Sequence, residues 1–267
     1  MRVSATTLQE LMRCRRRFNY KYVERLSPKK EEESPALLFG SAFHKVLELY
    51  DGAMRRGADK KQAIADSLRD IVKYPLSNNH KILNWRSLVR SFVWYVESNS
   101  ELDVIANEEE WELEVDGVRV TGTFDGFIEY FDGIYLLERK TSSSYQSSKI
   151  KDHYLNSFQI KLYDWAARKN KVPNYRGVYL DFIMVLEKST NFSSDIRCFT
   201  EEDYSETDSQ LKELIEIIKN GNLDLPSQTA CMDFGRKCDF WDVCLKPKST
   251  REAYIEENFV IGGMGGK

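Results

Sequence analysis

The 267-residue chain carries 42% hydrophobic and 12% aromatic residues, enough to fill a core, and a formal net charge of only −3, which excludes blanket affinity for nucleic acid. No run approaches the roughly 18 uninterrupted apolar residues of a membrane span, and the opening MRVSATTLQELMRCRRRF lacks the apolar block of a secretory leader. A cytoplasmic protein is therefore expected, in which five cysteines, an odd number, read as thiols or metal ligands rather than as a disulfide framework.

Thr6 or Thr7 can cap a first helix, with Gln9 or Glu10 as capping-box partner and Leu8, Leu11, Met12, Phe18 and Tyr22 as its apolar positions. Residues 13–30, RCRRRFNYKYVERLSPKK, hold eight Lys and Arg against one Glu. This is either a solvated face balanced by the following Glu31-Glu32-Glu33 run or, given the interleaved aromatics, a surface for phosphates and bases. A second helix is expected over about 37–56, a third opening on Asp59 with Gln62, and a fourth over 81–98. At residues 109–141 the period changes to two, and Asp116-Gly117 and Asp132-Gly133 are strong hairpin signals, so an antiparallel meander of three or four strands is predicted. Helical spacing returns at 154–169, strands follow at GVYLDFIMVLE and SSDIRCFT, and a helix near 206–220 leads into a cysteine-rich tail. No internal repeat or low-complexity linker separates these parts. A single mixed α/β domain over 1–267 is expected, a central sheet flanked by helices.

The segment DGIYLLERKTSSS ends a half-apolar strand in Glu138-Arg139-Lys140, residue types that strands disfavour. If Asp132-Gly133 forms a two-residue turn, Phe127 lies opposite Glu138 and Asp125 opposite Lys140. Asp125, Glu138 and Lys140 then share one face, and Arg139 points to the other. Two carboxylates this close repel unless a proton or a hard cation such as Mg²⁺ or Mn²⁺ sits between them. The alternative is a strand end that surfaces with a Lys140–Asp125 salt bridge.

Four motifs in order resemble the PD-(D/E)XK nuclease superfamily, and within it the RecB-like group with the iron–sulfur exonucleases of AddB and CRISPR-adaptation type. FGSAFHKVLELY is similar to the Gly-x-x-x-His motif at His44, GTFDGF to the Gly-x-x-Asp motif at Asp125, LLERKTS to the (Asp/Glu)-x-Lys-Thr element at Glu138 and Lys140, and QIKLY to the Gln-x-x-x-Tyr signature at Gln159 and Tyr163. The resemblance implies a restriction-endonuclease-like core and a DNA nuclease, an exonuclease acting on single-stranded DNA or DNA ends in recombination, repair or replication. His44, Asp125, Glu138 and the carbonyl of Arg139 would hold Mg²⁺ or Mn²⁺, with Lys140 orienting the attacking water and Gln159 and Tyr163 positioning Lys140 and the DNA. Arg13, Arg15, Arg16 and Arg17 would track phosphates.

In the iron–sulfur members one cysteine of the N-terminal helix and three of the C-terminal tail hold one cluster. Here Cys14 fits the first place and CMDFGRKCDFWDVC offers Cys231, Cys238 and Cys244. The spacing of the last pair matches, while the cysteine usual three residues before it is replaced by Gly235. A [4Fe–4S] cluster is the expected occupant, zinc the alternative, since thiolates suit both. Cys198 is expected to be a buried structural thiol. The rival reading is a non-catalytic DNA-binding module of a larger complex. No P-loop occurs in the sequence, so unwinding would fall to a helicase or recombination partner.

Overall fold

The computed structural model describes residues 1–29, 34–77, 79–99, 102–143, 147–233 and 236–262, so the Glu31-Glu32-Glu33 run and Gly235 lie outside it. Strand β1 (Arg2–Ser4) runs directly into helix α1 (Ala5–Arg13). Its cap is Ser4 rather than Thr6 or Thr7, because parallel pairing of β1 with Arg119–Thr121 leaves Ser4 extended. Thr7 N–H donates to Ser4 Oγ and Ser4 N–H to Thr7 Oγ1, a reciprocal box that satisfies two donors otherwise orphaned at the helix start. There follow α2 (Arg15–Phe18), a π-helical turn at Asn19–Val23, β2 (Leu26–Pro28) and the long α3 (Pro35–Arg55), which opens on a proline. As expected, Asp59 caps α4 (Lys60–Ile71), accepting from the N–H groups of Lys61 and Gln62. Helix α5 (Trp85–Ser98) starts four residues later than the expected 81, where Asn84 and Ser87 form a second reciprocal box.

The meander is β3 (Asp103–Val115), β4 (Val118–Tyr130) and β5 (Gly133–Ser142). Asp116 and Gly117 both have positive φ, 50° and 80°, the backbone of a primed two-residue turn. The second turn differs from expectation. Tyr130 pairs with Gly133, so the loop is Phe131-Asp132, with Phe131 at φ 46°. Gly133 is the first residue of β5, and it is glycine for space: a Cβ there would lie 2.4 Å from Arg176 Cγ and 2.7 Å from the Asn174 carbonyl oxygen. The register shifts by two residues, Phe127 facing Leu136 instead of Glu138. A shift of two preserves the face of every side chain, whereas a shift of one would invert it.

Helix α6 (Ser147–Leu155) and helix α7 (Phe158–Lys169) replace the expected continuous 154–169 helix, because Ser157 caps α7 through the Ile160 N–H and interrupts the run. Next come β6 (Tyr175–Val185), β7 (Thr190–Arg197) and α8 (Glu201–Lys219). Cys198 lies just beyond β7 and is exposed, a correction to the buried thiol expected: the strand ends at Arg197 and nothing covers the next residue. The tail holds β8 (Met232–Asp233), β9 (Arg236–Lys237), α9 (Trp241–Leu245), α10 (Arg251–Asn258) and β10 (Phe259–Ile261). No described helix is long and apolar enough to cross a membrane.

The chain divides into two compact, discontinuous units. The larger, residues 33–112 and 122–207, has a mixed sheet in which β5 is antiparallel to β4 and parallel to β6, β6 is antiparallel to β7, and β3 pairs with β4. On one face Phe39, Phe43 and Leu47 of α3 and Leu88 and Phe92 of α5 pack with Ile183 and Val185. Each such side chain contributes about 1.5–3 kcal/mol by leaving water. On the opposite face Tyr154 of α6 meets Phe182. The smaller unit, residues 1–32, 113–121 and 208–267, has its own core of Tyr20, Leu26, Phe240, Val243 and Phe259, with β10 antiparallel to β2.

Candidate active site

Within the larger unit, α3, β4, β5 and α7 bring together the residues that the four motifs singled out. Asp125 and Glu138 come from neighbouring strands. The Arg139 N–H donates to Asp125 Oδ2 at 2.8 Å, and Asp125 Oδ1 lies 3.3 Å from His44 Nδ1. Glu138 is 1% exposed. Its Oε1 lies 2.5 Å from Lys140 Nζ and accepts from Gln159 Nε2 at 3.2 Å, while Lys140 donates to Gln159 Oε1 at 3.4 Å. Gln159 Nε2 also donates to the Tyr163 hydroxyl at 3.3 Å, the two side chains being one turn apart on α7. Glu138 Oε2 is buried with no hydrogen-bond partner. A carboxylate oxygen left this way costs about 1–3 kcal/mol or more, so an orphan here marks an oxygen kept for another atom.

Electrostatics separates the two carboxylates. Burial pushes the Glu138 carboxyl up, Asp125 adds to this, and Lys140 only partly opposes it, leaving it at about 7. Burial also acts to raise Asp125, but His44, Lys140 and the Arg139 N–H more than offset it and hold Asp125 at about 2. His44 is raised: burial opposes its charge, and Asp125 overrides that. Lys140 is likewise raised, since Glu138 and Asp125 outweigh its burial, so it stays cationic at neutral pH. Tyr163 is raised by burial and then by Glu138, and keeps its proton.

Sequence reasoning missed one residue. Among the described residues, His44, Glu108 and Asp125 are the group whose ligand atoms all lie within 4.8 Å of one another. Glu108 stands on β3 at φ 51°, and desolvation of its carboxylate, then Asp125 and Glu48, raise its pKa. The Glu108-Glu109-Glu110 run reads as a solvated edge strand, and nothing in its spacing sets Glu108 apart. Oxygen donors from Asp125 and Glu108 with one imidazole suit Mg²⁺ or Mn²⁺, and Glu138 on the neighbouring strand adds a carboxylate outside that 4.8 Å group. The orphaned Glu138 oxygen and this donor set fit such an ion.

The four cysteines all belong to the smaller unit and are half-buried. Cys14 Sγ accepts from the Ser227 N–H and Cys231 Sγ donates to the Ser227 carbonyl, both at 3.4 Å. The Cys231 thiol is raised by burial and then by Cys244 and Cys14, and the Cys238 thiol is raised chiefly by burial. The four do not close to the 4.8 Å spacing of the His44 group. Of the N-terminal arginines, Arg16 binds Asp224 at 2.6 Å and Arg17 binds Glu10 at 2.7 Å, while Arg13 is 43% exposed with Glu10 at 3.8 Å. Arg13, Arg16 and Arg17 thus each have an acidic partner within the protein.

The family model of the PD-(D/E)XK nuclease superfamily matches residues 2–245. Among solved structures, a candidate exonuclease from Eubacterium rectale is 15% identical with a TM-score of 0.52, covering 94% of this chain and 91% of that one. SSO0001 is 15% identical (TM-score 0.35; 81% and 76% covered), and LHK-Exo, solved with dAMP, 12% identical (0.33; 69% and 93%). No curated protein sequence matches.

Proposed function

The chain belongs to the PD-(D/E)XK nuclease superfamily, and from that premise we propose that it is a Mg²⁺- or Mn²⁺-dependent deoxyribonuclease, an exonuclease of the RecB-like type acting on single-stranded DNA or DNA ends inside the cell. The observation that carries this is the buried Glu138 oxygen without a partner, on the strand next to Asp125 and beside a buried lysine. His44, Asp125, Glu138 and the Arg139 carbonyl, with Glu108 added, would hold the ion. When bound, the ion polarises the scissile phosphate and makes its water a nucleophile at neutral pH. Lys140, tied to Glu138 and Gln159, presents a fixed positive charge to the phosphate as negative charge develops on it. Gln159 holds both Lys140 and Glu138, which prevents the lysine from swinging into solvent, and Tyr163 holds Gln159 in turn. In this reading Arg13, Arg15, Arg16 and Arg17 would meet phosphates, with Arg13, Arg16 and Arg17 exchanging their internal acidic partners for DNA.

We further propose that Cys14, Cys231, Cys238 and Cys244 hold a [4Fe–4S] cluster, with zinc as the lesser fit. Four half-buried thiols in one unit, two of them bonded to Ser227, support it. Roles in recombination, repair or replication beside a helicase partner belong to the same proposal.

The test is incubation with end-labelled single-stranded and duplex DNA, with Mg²⁺, Mn²⁺ or EDTA. Cleavage should require the ion, and Lys140→Ala should lower kcat by about 10²–10³-fold while DNA binding persists. Cleavage that survives EDTA, or an undiminished Lys140→Ala, refutes the mechanism. Binding without cleavage by the unaltered protein would favour the non-catalytic module.

A further inference from the structure

On the sheet face turned away from Glu138 and Lys140, the Arg139 side chain is 3% exposed and enters a closed set of polar groups. Its Nη1 donates to Asp51 Oδ2 at 2.7 Å and its Nε to the Tyr95 hydroxyl at 3.1 Å, and that hydroxyl donates in turn to Asp181 Oδ2. Three elements converge here. Asp181 is the direct cross-strand partner of Arg139 in the parallel β5–β6 pair, Tyr95 comes from α5, and Asp51 comes from α3, on the helix that carries His44. Tyr95 is itself held edge-on by Phe43 and Phe192, and Arg139 lies 5.6 Å from its ring centre. Asp51, Tyr95 and Asp181 are all buried.

Burying an ion pair is a poor way to gain stability, since an apolar pair of the same volume is often as good or better. Nor does α3 need it for adhesion, because Phe39, Phe43, Val46 and Leu47 already bury against β6 and α5. What charged hydrogen bonds add is direction. Arg139 is the residue whose main-chain N–H holds Asp125 Oδ2 at 2.8 Å, and Asp51 lies about two helical turns from His44, on the same side of α3. We propose that Asp51, Tyr95 and Asp181 are positioning residues of the cation cluster, clamping the Arg139 side chain so that its main-chain N–H is fixed against Asp125 and, along α3, His44 is fixed in place. Groups that orient metal ligands from behind in this way typically govern about 10–100-fold in metal affinity or activity. The inference rests on the cluster being a divalent-cation site.

Two variants separate positioning from stability. Tyr95→Phe removes one oxygen and keeps the packing. The double variant Asp51→Leu/Arg139→Met replaces the ion pair by apolar groups, and should melt within a few degrees of the unaltered protein. Each should bind Mn²⁺ at least about tenfold more weakly and lose about tenfold in kcat at saturating Mn²⁺, with KM for DNA unchanged. Amide exchange at Arg139 should quicken. A folded double variant or a folded Tyr95→Phe with unaltered Mn²⁺ affinity and kcat overturns the inference, and either variant decides if the other does not fold. If the unaltered protein fails to bind Mn²⁺, the cation-site reading falls and takes the inference with it, a failure visible before any variant is examined.

Discussion

If Glu138 holds the proposed ion, pH and metal act on it together, and the perturbation has a calculable size. With its carboxyl at about 7 in the metal-free protein, half of it carries a proton at pH 7 that a cation must displace. Between pH 8 and pH 6 the apparent Mn²⁺ affinity should fall by about tenfold, with roughly half a proton released per ion at pH 7. Metal-free stability runs the opposite way. The folded state holds a proton that the unfolded chain, with its carboxyl at its ordinary value of about 4.5, has already lost, so stability falls as pH rises from 4.5 to 7 and is level above. The full difference is about 3 kcal/mol for this 1%-exposed group. For a chain of this size that corresponds to roughly 5–10 °C in Tm. Calorimetric Mn²⁺ titrations in buffers of different ionisation heat, with thermal melts from pH 5 to 8, measure both. Glu138→Gln should bind Mn²⁺ weakly and lose this component of the pH slope. An Mn²⁺ affinity that is flat from pH 6 to 8, with no proton released, refutes the assignment of a raised carboxyl at the ion.

Replacing any of Cys14, Cys231, Cys238 or Cys244 by Ser should bleach a brown, anaerobically purified protein and lower its Tm, whereas the exposed Cys198→Ser should change neither. Iron, sulfide and zinc assays on the same samples decide between cluster and zinc. Gly133→Ala should destabilise by about 1–3 kcal/mol in chemical denaturation, because its Cβ meets a backbone carbonyl at 2.7 Å as well as the movable Arg176 side chain.

Helices with a start signal in the sequence were legible to within a few residues: Asp59 caps α4 as read, and α3 begins two residues ahead of its expected start. Ser157, a local cap, split the helix read as continuous, but three other misreadings share a different cause, a local signal overruled by a partner distant in sequence. Ser4 wins the first cap from Thr6 and Thr7 because β1 pairs with residues more than a hundred positions away. The glycine of Asp132-Gly133 reads as a turn residue, yet what it answers to is the approach of Asn174 and Arg176. Glu108 was invisible for the same reason. Its neighbours Glu109 and Glu110 are chemically identical, and only the pairing of β3 with β4 brings one of the three to Asp125 and His44.

The cluster survived an incorrect register because of parity. The hairpin reading was wrong by two residues, and two is the period of a strand, so Glu138 and Lys140 still share one face and Arg139 the other. The same parity explains three consecutive charges at the end of a buried strand. Glu138 and Lys140 face α7, where Gln159 holds them both, while Arg139 turns to α3 and α5, where Asp51 and Tyr95 receive it. Neither face could be apolar without loss: one needs an oxygen free for a cation, and the other needs directional bonds that keep the intervening peptide rigid. An inserted residue between Asp125 and Glu138 would exchange the two faces, setting Arg139 against His44 and burying Glu138 and Lys140 beside Asp51 and Asp181, where like carboxylates would face one another. The alternation of charges in Glu138-Arg139-Lys140 is therefore a constraint on the parity of the register as well as a set of candidate ligands: shifts by an even number of residues keep both faces, and a shift by one satisfies neither.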